Sequence, residues 1–83
     1  MDESSLRLSL YPNPVRNEFV LDWGVSGQNL DVTIRDPLGR VVRTYPNVSS
    51  GSVMHMGELP PAMYVVQCDL DGRVVDAFKI EKQ

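Results

Sequence analysis

The chain has 83 residues, 42% of them apolar, and carries a net charge of −3 with eight basic side chains scattered along it. These totals describe one small folded domain and argue against disorder, against a nucleic-acid or anionic-membrane partner, and against direct membrane insertion, since no apolar run approaches the ~18–20 residues a bilayer requires. Cys68 and His55 are the sole residues of their kinds, which excludes an internal disulfide and a cysteine-built zinc site within one chain.

In chain order, Met1 to Ser5 is acidic and polar, unlike a secretory signal peptide, and reads as a linker ahead of a single domain over 6–83. Leu6, Leu8 and Leu10 then alternate with Arg7 and Ser9, the period-two pattern of a half-buried strand. Pro12-Asn13-Pro14 removes two backbone donors and stops it. Phe19, Leu21 and Trp23 form the next alternating set, and Leu30, Val32 and Ile34 the one after, across a polar loop from Gly24 to Asn29. Val41-Val42 predicts a short strand, closed by a loop over Tyr45 to Gly51. Val53, Met54 and Met56 mark another strand, ended by Pro60-Pro61. Tyr64, Val66 and Cys68 alternate, followed by Val74, Val75, Phe78 and Ile80. About seven strands and no convincing helix predict an all-β, immunoglobulin-like β-sandwich of antiparallel strands.

Two segments share the pattern Asp-x-x-Gly-Arg-Val-Val: Asp36 to Val42, and Asp69 to Val75. Asp opens a turn by accepting local backbone bonds, and Gly39 or Gly72 supplies the left-handed residue that returns the chain. Two tight hairpins explain the echo; a duplicated binding motif is the alternative.

Catalytic chemistry finds little support. His55 has Glu58 nearby but no second histidine, and no serine sits in a nucleophile elbow. Asp69 and Asp71 lack the further oxygen ligands of a calcium loop. The expectation is therefore a non-enzyme with no catalytic residues, no metal and no cofactor. Cys68 reads as a small apolar filler, and Trp23, Met54, Met56 and Met63 as core residues.

Taken as an ordered set, these segments carry a family resemblance. Leu10-Tyr11-Pro12-Asn13-Pro14-Val15 precedes Phe19-Val20-Leu21. Val32 to Ile34 leads into Asp36-Pro37-Leu38-Gly39-Arg40 and a second strand. Leu59 and Tyr64 open an apolar strand, Gly72 turns it, and Lys79, Ile80 and Lys82 end the chain. From about Leu6 to Lys82 this resembles the C-terminal sorting domains of proteins exported by the type IX secretion system of Bacteroidetes-type bacteria. Two departures stand out: Ala62 occupies the family's usual glycine position, and Gln83 follows the final lysine.

The resemblance implies an exported domain at the end of a larger cargo, passing through the periplasm to the outer-membrane surface or the medium. Its implied partners are the type IX translocon with its outer-membrane shuttle proteins, and a sortase-like protease that removes the domain in or before Met1 to Ser5. Tyr11, Pro12, Asn13, Pro14, Asp36, Gly39, Arg40, Tyr64 and Gly72 are then structural motif residues. Phe78, Lys79, Ile80, Glu81, Lys82 and Gln83 are the expected recognition strand. In that reading Lys79 and Lys82 keep the strand solvated while Phe78 and Ile80 fill pockets of a receptor that captures it by strand addition. A long terminal edge also invites a weak homodimer. The competing reading is an accessory sandwich for adhesion or for carbohydrate or protein binding.

Overall fold

The computed structural model describes residues 7–24 and 28–83. The linker expected over 1–5, together with Leu6, lies outside the described residues. Among those described are seven strands and no helix: β1 (Ser9–Tyr11), β2 (Glu18–Asp22), β3 (Leu30–Arg35), β4 (Val41–Val48), β5 (Ser52–His55), β6 (Ala62–Leu70) and β7 (Arg73–Lys82). They form a three-stranded sheet, β1-β2-β5, and a four-stranded sheet, β4-β3-β6-β7, with every pairing between strands antiparallel. This is the immunoglobulin-like sandwich that the strand spacing predicts.

The alternating side chains explain the layering. Phe19 and Leu21 from β2 meet Val32 and Ile34 from β3 and Val66 and Cys68 from β6, all of them buried. Trp23, Met54, Met56, Tyr64 and Ile80 complete the core. Burial of such side chains contributes roughly 1.5–3 kcal/mol each before the entropy of ordering is subtracted. Met63 departs from its expected core role, remaining 46% exposed.

Strand β4 differs from expectation. It runs through Tyr45, Pro46 and Asn47, where a loop was predicted. Its register against β3 shifts between Leu30/Val48 and Val32/Tyr45, and Asn47 takes a left-handed φ of 58°. A bulge on an edge strand tolerates a residue without an N–H, which is why Pro46 does not end pairing here.

The two echoed segments both make hairpins, β3–β4 and β6–β7. Their turns differ. In the first, Asp36 Oδ1 accepts from the Leu38 and Arg40 amides, both at 2.9 Å, and Gly39 holds φ at 86°. In the second, Asp71 and Gly72 both have positive φ, as a two-residue type I′ connection requires, while Asp69 lies within β6.

Candidate functional site: a latched terminal strand

The two prolines make the lead-in segment leave its sheet. With no donor at Pro12 or Pro14, β1 cannot continue its ladder with β2. Both X–Pro bonds, Tyr11-Pro12 and Asn13-Pro14, are cis. The chain crosses to the other sheet, and Val15, fully buried, forms a parallel bridge with Lys82 of β7. The Val15 amide donates to the Glu81 carbonyl at 2.7 Å, and the Gln83 amide donates to the Val15 carbonyl at 2.8 Å.

Asn13 adds a side-chain clasp on the same edge. Its Oδ1 accepts from the Glu81 amide at 3.1 Å, and its Nδ2 makes a longer 3.5 Å contact to the Lys79 carbonyl. Further along, Asp76 Oδ1 accepts from the Ala77 amide at 2.8 Å. The backbone groups that an added strand would use at Glu81 and Gln83 are thus occupied by the domain itself.

Strand parity divides the expected recognition residues. Phe78 packs partly against the core, Ile80 is 1% exposed, and Lys82 only 6%. Lys79, Glu81 and Gln83 face solvent. Lys79 and Lys82 are three residues apart, so a strand sends them to opposite sides. Ile80 therefore fills its own core, where the sequence reading had it fill a receptor pocket. Lys82 likewise does not solvate the strand: its stem is buried, and its Nζ donates to the Gln83 carbonyl at 3.0 Å.

Tyr64, at the start of β6, donates its hydroxyl to the Pro60 carbonyl at 2.6 Å, the tyrosine corner of immunoglobulin-like sandwiches. Ala62 begins β6 opposite Lys82 without a left-handed φ, so the missing glycine costs the backbone nothing at that position. Asp36 also holds Arg40 through an Oδ2–Nε pair of 2.8 Å. Desolvation pushes its carboxyl up, but the hydrogen bonds from Arg40 and Leu38 outweigh this and hold it below the ordinary 3.8. Tyr11 is half exposed on the outer face of the three-stranded sheet.

The other chemistry-bearing residues stay apart. Cys68 is buried, and desolvation, assisted by Asp76 and Asp69, pushes its thiol up to about 12, which leaves it unreactive. His55 is exposed on β5 and pairs with Glu18 at 3.3 Å. Asn13 is the motif residue whose partners the sequence does not disclose. Its contacts span 66 and 68 positions, and the motif itself was the only signal.

Fold and site together define an immunoglobulin-like module whose lead-in and terminal segments meet along one sheet edge. A family model described as the secretion system C-terminal sorting domain matches residues 9–81. The chain belongs to that family, the C-terminal sorting signal for type IX secretion. No curated protein and no solved structure matches it. Membership carries interaction with the type IX machinery and export to the cell surface or extracellular space.

Proposed function

We propose that the domain is an address read while folded, and that its readout centres on Phe78 to Gln83. Lys79, Glu81 and Gln83 present outward side chains, while Phe78, Ile80 and Lys82 seat the strand in the sandwich. The observation that carries this reading is the clasp of Asn13 and Val15 on Glu81 and Gln83, which joins the two signature ends into one rigid element. A larger cargo would bring the domain through the periplasm to outer-membrane shuttle and translocon components. A sortase-like protease would then cut in or before residues 1–5, leaving the cargo anchored at the surface. The domain serves as ligand and substrate, with no chemistry of its own. A weak homodimer through the β7 edge would require the Asn13–Val15 segment to leave.

An export assay tests the reading. A fluorescent reporter with an inner-membrane export signal carries residues 1–83 at its C-terminus in a bacterium with a type IX system. Simple removal of Lys79–Gln83 would also remove Ile80 from the core, so the informative variant is Lys79→Ala/Glu81→Ala/Gln83→Ala, confined to solvent-facing side chains. Reporter reaching the surface or medium with the intact domain, and held back with the triple variant, supports the proposal. Equal export of both, with both folded, sinks the assignment of readout to this strand.

A further inference from the structure

With the end of the β7 edge latched, the outer face of the four-stranded sheet is the open surface beside the terminal strand. Register places Val41, Arg35, Val65 and Lys79 in one row across all four strands, with Met63 and Glu81 paired in the row beside it. On this face lies a groove of about 520 Å³, lined chiefly by Arg35, Pro37, Gly39, Met63, Val65 and Lys79. Its floor is apolar: Met63 is nearly half exposed and Val65 lies beside it. One wall is the β3–β4 hairpin, whose tip residue Leu38 is 79% exposed; the other is the recognition strand itself.

The charges in the groove are unbalanced. Arg35 Nη1 donates to the Gly39 carbonyl at 3.1 Å, which holds its guanidinium at the hairpin wall. Neither Arg35 nor Lys79 forms an ion pair with a described residue. Asp36, the one carboxylate in the lining, is committed to Leu38 and Arg40. A domain of net charge −3 thus shows two cations without an ion pair across an apolar floor, next to its terminal strand.

We propose that this groove is where the secretion machinery grips the domain, and that its occupant is an extended peptide segment of a machinery component bearing a carboxylate beside an apolar side chain. The apolar side chain covers Met63 and Val65, and the carboxylate lies between Arg35 and Lys79. Recognition uses the sheet face in place of the strand edge, because the edge groups at Glu81 and Gln83 are already paired with Asn13 and Val15. The proposal rests on the reading of the domain as a folded sorting signal.

The same reporter fusion tests it through Lys79→Glu, Arg35→Gln and Met63→Glu, with Val53→Glu on the opposite sheet face as control. All four positions are at least partly exposed, and each variant's cooperative melt is measured alongside export. Lys79→Glu and Met63→Glu should lower export by about tenfold or more, since like charges and a buried carboxylate both oppose the occupant. Arg35→Gln, which removes charge without adding bulk, should give a smaller loss, and Val53→Glu should export like wild type. Folded groove variants that export normally overturn the proposal, as does a loss with Val53→Glu equal to theirs. An Asn13→Ala variant that exports better than wild type would also overturn it, in favour of the strand edge. Failure of the intact domain to export the reporter would instead strike the sorting reading on which the proposal stands.

Discussion

Tyr64 shows how one hydroxyl fixes a corner. Its ring is buried, and its O–H donates to the Pro60 carbonyl at 2.6 Å, four residues upstream. Tyr64→Phe keeps the packing and removes that bond, at a cost of about 1 kcal/mol because Pro60 is exposed and water can replace the donor. Thermal unfolding should shift down by about 4–8 °C in a domain of this size. An unchanged melting temperature would mean that the corner is held by packing alone. Asp36 gives a second handle at this scale. Its carboxyl is held below the ordinary 3.8 in the folded domain, so its contribution is present above that value and is lost as pH falls through the lowered folded value. Asp22, lowered by its bonds from Ser50 and Gly24, has the same sign. Melts between neutral and strongly acidic pH should therefore show an acid limb that Asp36→Asn makes shallower without abolishing. Parallel limbs in the two proteins would show that Asp36 does not contribute.

Among the elements, β7 depends on groups far from it in sequence. Asn13→Ala removes the side-chain clasp on Glu81 and Lys79 but leaves the Val15 bridge, so stability should fall by only about 0.5–1 kcal/mol. Native-state hydrogen exchange should report a local effect, with faster exchange at the Glu81 amide and little change at the paired centre of β6. Uniform acceleration would mean global destabilisation in place of an opened latch. Much of this architecture was legible beforehand, for physical reasons. Period-two alternation in Phe19-Leu21, Val32-Ile34 and Tyr64-Cys68 is imposed by the pleat, and the Asp36 turn by local bonding that needs no tertiary partner. The course of β4 through Pro46 was not, because an edge bulge defeats the rule that proline ends a strand. Nor was the Asn13 clasp, a contact between residues 66 and 68 apart that no local pattern encodes. The split of Lys79 from Lys82 is readable by strand parity alone.

For the whole molecule, the state of the edges decides whether it stays single. A four-stranded sheet has two edges, here β4 and β7. Strand β4 carries Pro46, the left-handed Asn47 and two register shifts, each of which interrupts a regular ladder. Strand β7 is long and regular toward its end and would be the more adhesive of the two, but Asn13 and Val15 occupy its groups there. One displaceable segment therefore stands between the end of the β7 edge and pairing with a second copy. Sedimentation velocity over a wide concentration range should find the wild-type domain monomeric. Asn13→Ala should move toward a dimer as concentration rises, with the Val15 bridge the last barrier. A wild-type dimer that retains protection at the Glu81 amide would locate the contact away from the β7 edge. A monomeric Asn13→Ala variant with rapid exchange at Glu81 would show that an open edge is insufficient for association, leaving the solvent-facing charges of Lys79 and Glu81 as the barrier to pairing.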